Sequence, residues 1–222
     1  MSVKLLEWST ITVGGADAAT FLDGQLAQSV DQGTPGAWTA VLEPDSTVIC
    51  AGWLRSDADG FELLVPGELA EVTLARLRRF RLRVDVALAL HSGARDAPLT
   101  RHDELLERAM PWVGEYSKSL APHAFGRSFV ARSIDFTKGC FTGQELVGRM
   151  DARGATVPFR FARVSGQRGE RVEEVVRLTG PAKSQGVTTV FEGRDEFVAH
   201  AIVHRSLLGD GAPEDVRVEE ID

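Results

Sequence analysis

Hydrophobic patterning changes character late in the chain, and this break limits the possible folds more than any other feature. As far as about Gly154, short alternating segments are interleaved with stretches at helical spacing. Beyond it the helical spacing fades and strand-like alternation remains. A mixed layer of helices and antiparallel strands followed by an all-strand tail predicts an α+β protein in two parts. The expected boundary lies at Ala155 to Pro158, giving a first domain over 1–155 and a second over 156–222. A small β-barrel or sandwich fits the tail, built from strands at Phe159 to Val164, Val172 to Leu178, Gly186 to Phe191, Phe197 to Val203 and Val216 to Ile221.

The first part opens with a strand at Thr10 to Val13, a Gly14-Gly15 turn and a helix from Ala16 to Leu22 halted near Gly24. Three segments rich in β-branched and aromatic residues follow, Trp38 to Leu42, Val48 to Leu54 and Phe61 to Val65. Turn signals at Pro44-Asp45 and Asp57 to Gly60 separate them, so they read as an antiparallel meander. Glu68 to Phe80 carries helical spacing with Arg76, Arg78 and Arg79 on a solvated or ligand-facing side. A strand at Leu82 to Leu90 and a helix at Arg101 to Ala109, stopped by Pro111, come next, and Val113 to Arg127 reads as loop.

A formal charge of −7 argues against a broad nucleic-acid surface, which would show as net basic charge. All of the 25 basic residues except Lys4, Lys118, Lys138 and Lys183 are arginine, a bias that marks no anion site by itself. No apolar run is long enough to span a bilayer, and Met1 to Thr10 lacks the layout of a signal peptide, so a cytoplasmic protein is expected. The two cysteines, Cys50 and Cys140, are then expected as free thiols, with Cys50 in an apolar run that reads as core.

Most of the chemistry is concentrated in Lys138-Gly139-Cys140-Phe141-Thr142-Gly143-Gln144-Glu145. Thr142 and Glu145 have the spacing of a capping box, with Leu146, Val147 and Met150 as apolar positions of the helix that follows. A cysteine just ahead of unpaired helix amides and beside a lysine is favoured as thiolate. The glycines permit positive φ or close approach of a ligand. From spacing alone the other reading stands equally: a small buried cysteine beside a loop-to-helix turn.

The same string resembles the signature Lys-Gly-Cys-Tyr-x-Gly-Gln-Glu of the YgfZ family, folate-binding relatives of the glycine-cleavage T-protein in the aminomethyltransferase superfamily. Phe141 stands here for the usual Tyr. The likeness continues through Val147-Gly148-Arg149-Met150 and Arg153-Gly154. It is weaker at Ile11 to Gln25, Leu77 to Arg83, Glu107 to Pro111, Gly186 to Thr189 and Ala199 to Arg205. Ala27-Gln28-Ser29 replaces the family's Thr-Asn-Asp, and the interval from Leu90 to Glu107 is shorter than usual, which implies a trimmed middle module and a channel open on one side.

The resemblance implies an aminomethyltransferase-like fold that binds tetrahydrofolate and serves iron–sulfur assembly or client proteins, with Cys140 as the reactive group and Lys138 as its activator. It implies Glu107 as an acceptor for the pterin edge, suited to two N–H bonds. Arg149 or Lys138 would hold the glutamate tail or the thiolate, and Gly139, Gln144 and Glu145 would complete the folate site. A solvated helix glutamate is the alternative for Glu107, and a surface role for Arg149 and Lys138.

A folate-dependent aminomethyltransferase is a second function class; it needs a positioned carboxylate, for which Asp135 and Asp59 are available. A non-catalytic interaction module is a third. His200 and His204 would lie about 13 Å apart on a strand, too far for one metal. His102-Asp103-Glu104 reads as a solvated helix face. Two cysteines cannot hold an iron–sulfur cluster within one chain, so no metal site is expected.

Overall fold

A computed structural model describes residues 5–30, 36–154, 157–167, 186–192, 196–208 and 216–222. The first sheet has five antiparallel strands: β1 (Trp8–Gly14), β2 (Ala37–Leu42), β3 (Val48–Asp57), β4 (Gly60–Pro66) and β5 (Ala87–Ser92). Their order is β2-β3-β4-β1-β5, so the predicted meander forms and the opening strand inserts beside it. Trp8 pairs with Pro66 and Gly14 with Gly60, while Thr10 pairs with His91 on the other side.

Strand alternation distributes two cores. On β4, Phe61, Leu63 and Val65 enter the main core beneath α1 (Ala18–Gln25) and α2 (Ala70–Arg79), whereas Leu64 points to the opposite face. There Leu64 joins Leu6, Trp8, Leu99, Leu105, Met110 and Trp112 under the short helix α3 (His102–Glu107). The Trp8 and Trp112 rings meet edge-on at 4.9 Å, and Trp8 Nε1 donates to Leu99 O at 2.7 Å.

Three predictions need correction here. The strand expected at Leu82 to Leu90 begins only at Ala87; residues before it turn, with Arg83 at φ 56°. Val113 to Arg127 is not plain loop, since it holds α4 (Val113–Tyr116) and leads into α5 (Arg127–Ser133), whose Phe129 and Val130 are buried. Arg76 does not face solvent. It is buried, donates to Leu42 O at 2.9 Å and Gln25 Oε1 at 2.8 Å, and lies over the Phe80 ring. Cys50 is core as expected, and burial pushes its thiol pKa up to about 12.

After α6 (Gln144–Ala152) come β6 (Phe159–Gln167), β7 (Gly186–Glu192), β8 (Glu196–His204) and β9 (Val216–Glu220). They form one antiparallel sheet in the order β7-β8-β6-β9, and among the described residues it does not close into a barrel. The strand expected at Val172 to Leu178, and the start of the expected boundary at 155–156, lie outside the described residues. One face of this sheet carries its own cluster, including Ala162, Val164, Ala199, Ala201 and Val203. Phe161 and Ile202, on the other face, join the main core, where Phe161 meets Phe125.

His200 shares the face of Ile202, with its ring 4.7 Å from Phe161. Burial, followed by the charge of Arg163, lowers its pKa from 6.5 to about 4. A depressed histidine contributes stability that is fully present above pH 6.5 and is lost as pH falls through about 4. Urea unfolding should therefore show a loss of roughly 2–3 kcal/mol between pH 7 and 4.5 attributable to this ring. His200→Phe should remove that part of the pH dependence; an unchanged pH slope in the variant would assign the loss elsewhere.

Candidate functional site

The motif folds as an irregular loop, 134–143, between α5 and α6. Its approach is set by Asp135, whose backbone N donates to Ala27 O at 2.9 Å and whose carboxylate accepts from Thr137 N at 2.8 Å and Thr137 Oγ1 at 2.6 Å. Ser29 Oγ donates to the same carboxylate. These bonds, Ser29 first, hold the Asp135 pKa down at about 2, which suits a structural anion rather than a proton donor. Gln28 Nε2 reaches Arg132 O at 3.3 Å. The Ala27-Gln28-Ser29 substitution thus keeps polar contacts of its own, spent on docking the motif loop.

Lys138 forms the centre of that docking. Its Nζ donates to Asp23 O at 2.6 Å, Leu26 O at 3.0 Å and Gln28 O at 3.1 Å, and lies 3.0 Å from Asp23 Oδ1. The side chain is 3% exposed, and burial lowers its pKa against the opposing pull of Asp23. Phe141 is buried with its ring 5.5 Å from the ammonium. Lysine and aromatic ring clamp the two ends of a short bend, and Gly139 and Cys140 between them are exposed, with Cys140 a free thiol.

The predicted capping box does not form. Thr142 turns away, its backbone N donating to Gly24 O at 3.1 Å and its hydroxyl lying 3.3 Å from Gln25 Oε1. Gly143 is the residue at the head of α6, at φ 85°, and Ser46 Oγ caps its carbonyl at 2.6 Å. A Cβ here would lie 2.8 Å from Glu43 O, so the glycine is required by both conformation and space. Glu145 pairs instead with Arg149 along the exposed side of α6. Glu107 is exposed at the end of α3.

At the far end of α6 lies a cavity of about 650 Å³ between α5, α6, β6, β9 and the turn at Pro122–Phe125. Val130, Ala131 and Phe136 supply apolar wall; Arg127, Arg160, Asp151, Glu220 and Asp222 supply charge. His123 enters with both ring nitrogens hidden from solvent and without a hydrogen-bond partner, its Nε2 3.7 Å from Asp151 Oδ1. Burial lowers its pKa, Asp151 opposing, so the ring is neutral near pH 7 with one donor and one acceptor to offer. Arg160 Nη1 is likewise buried and unpaired, while its Nε is 2.8 Å from Glu220.

None of Cys140, Lys138, Gly139, Gln144, Glu145, Arg149 or Glu107 lines this cavity. Phe136 of the motif loop, four residues before Cys140, does line it, so the loop that carries the exposed thiol adjoins the cavity. Sequence reasoning missed His123, Asp151 and Arg160, and no local spacing marks them, because they come from three separate elements: the Pro122–Phe125 turn, α6 and β6.

No protein-family model matches the chain. An uncharacterized protein of Haemophilus influenzae (strain ATCC 51907 / DSM 11121 / KW20 / Rd) is 24% identical, over 69% of this chain and 69% of that protein. Among solved structures, glycine cleavage system aminomethyltransferase T from Bartonella henselae is similar over 99% of this chain and 85% of that one, with a TM-score of 0.62 at 13% sequence identity. The chain therefore has an aminomethyltransferase-like fold of helices and antiparallel sheets.

Proposed function

We propose that this chain is a YgfZ-type, tetrahydrofolate-binding accessory protein for iron–sulfur cluster assembly or repair, with Cys140 as its reactive group. The observation that carries the reading is the exposed thiol held on a loop clamped by Lys138 and Phe141, within an aminomethyltransferase-like fold. Lys138 contributes by holding the bend that presents the sulfur. The site is assigned to the cytoplasm, where a free thiol persists.

The α6 cavity is the folate site in this reading. Its volume falls in the range of small-molecule pockets. Unpaired buried nitrogens on His123 and Arg160 call for a ligand that offers both acceptors and donors, and a pterin edge has adjacent carbonyl and N–H groups. Phe136 and Val130 provide the apolar wall for a planar ring. When bound, tetrahydrofolate would supply one-carbon carrier chemistry. Glu107, Arg149 and the motif residues Gly139, Gln144 and Glu145 then serve the outer surface, facing partners rather than the ring.

Calorimetric titration with tetrahydrofolate tests the two halves separately. Cys140→Ala should bind as the parent does, while His123→Leu and Arg160→Met should each weaken binding about tenfold or more by removing a buried bond. Cells carrying Cys140→Ala should lose activity of a cluster-dependent enzyme. Normal cluster enzymes in those cells would remove the assigned role of the thiol; undiminished titration with His123→Leu would remove the folate from this cavity. Formation of methylene-tetrahydrofolate by the purified protein would instead select an aminomethyltransferase.

A further inference from the structure

An exposed basic and apolar segment begins at the end of α2, whose Arg76 and Arg79 reach partners of the motif loop. Arg78, Arg79, Arg81 and Arg83 are all exposed within six residues, on a protein whose formal charge is −7. Leu82 and Val84 among them are 74% and 37% exposed. Arg79 pairs with Glu43, and Arg81 Nη1 donates to Val86 O at 3.1 Å; Arg78 and Arg83 enter no ion pair among the described residues. Two carboxylates lie next to its end: Asp17 accepts from Asp85 N at 2.7 Å and Asp85 from Ala16 N at 3.4 Å.

This segment is joined to the Cys140 loop through two sets of contacts. Glu43, paired with Arg79, sets its carbonyl against Gly143, and buried Arg76 shares Gln25 Oε1 with Thr142. Gly143 is three residues from Cys140, at most about 10 Å of extended chain. Leu146, one turn into α6, is a further apolar group on the exposed side, 44% exposed and next to the Glu145–Arg149 pair.

We propose that the Arg78–Val84 segment is a docking surface for an acidic protein partner, which it steers towards Cys140. Concentrated positive charge on an otherwise acidic protein raises encounter with acidic surfaces and repels basic ones. The interleaved Leu82 and Val84 favour a protein surface over a phosphate backbone, which offers them nothing to cover. The connection to Cys140 rests on the reading of that thiol as reactive; the docking itself does not.

The probe is a fluorescent acidic peptide of alternating Glu and Leu, with a Gln-for-Glu analogue and a single-stranded oligodeoxynucleotide of equal charge as controls. On Cys140→Ala protein the acidic peptide should bind at least tenfold tighter than the neutral one in low salt, and R78E/R83E should abolish the difference. Equal binding of both peptides, or an acidic preference that survives R78E/R83E, would overturn the docking surface, and stronger binding of the oligonucleotide would reassign it to nucleic acid. On the parent protein, the same peptides carrying a cysteine activated with thionitrobenzoate report delivery. The Cys140 sulfur attacks the peptide sulfur, forming a mixed disulfide and releasing thionitrobenzoate, a redox-neutral exchange. The acidic peptide should react about tenfold faster than the neutral one, with iodoacetamide rates equal in parent and R78E/R83E. Equal peptide rates beside normal iodoacetamide reaction would sink the steering; failure of all three reagents would instead sink the reading of Cys140.

Discussion

Lys138→Met should lower the unfolding free energy by about 3 kcal/mol and the melting temperature by roughly 10 °C. Methionine nearly matches the volume but leaves Asp23 O, Leu26 O and Gln28 O without the ammonium they share, and leaves the Asp23 carboxylate without its counter-charge. Because Asp23 is 42% exposed, water recovers part of that loss, which puts the effect near the lower end for a broken buried pair. Lys138→Arg should rescue little, since a planar fork does not fit three carbonyls gathered round a point charge. Chemical denaturation of the three proteins measures this. A loss below about 1 kcal/mol would mean that water serves the three carbonyls as well as the lysine does.

Gly126→Ala should cost at least about 3 kcal/mol and weaken the tetrahydrofolate binding proposed for the α6 cavity together with stability. Gly126 has φ 93° and ψ 166°, a region open essentially to glycine alone. Its missing Cβ would lie 2.3 Å from Ile221 O, a contact that backbone must relieve by moving. The moving segment carries Asp222, whose Oδ1 accepts from Arg127 N at 3.1 Å and whose side chain lines the α6 cavity. Urea unfolding paired with calorimetry on the same sample would check both effects. Retained stability would show that Ile221 yields without cost.

Strand alternation made most of the architecture readable. The meander Trp38 to Val65, the core position of Cys50, and the later strands at Phe159, Gly186, Phe197 and Val216 depend on residue-to-residue periodicity that any sheet must respect. Where the reading failed, tertiary contacts had outweighed local preference. Seven residues of α5 are too few for a helical pattern to stand out, and its Phe129 and Val130 show their purpose only against the main core. Arg76 looked like a surface arginine because nothing local reveals that Leu42 O and Gln25 wait for its guanidinium. The Thr142–Glu145 spacing promised a cap, but Gly24 and Gln25, far back in the chain, attract Thr142.

The site divided in the same way. Cys140 and its flanking glycines were visible as a local string, and so was the need for special backbone at Gly143. Lys138 was visible as a nearby cation, though its carbonyl partners around Leu26 were not. His123, Asp151 and Arg160 gave no signal, since their relation exists only once α6 and β6 both pack on the Pro122–Phe125 turn.

The position of β1 has a consequence for how this protein forms during synthesis. It lies between β4 and β5, so its pairing partners are some 50 and 80 residues further along the chain. On the ribosome β1 must wait with both edges bare until Val65 and then His91 have left the exit tunnel. At about 5–20 residues per second that wait lasts several seconds. Late-arriving, distant partners make for slow closure. The nascent N-terminal segment is therefore where a chaperone has most to shield, and where rare codons between β1 and β4 would lengthen the hazard.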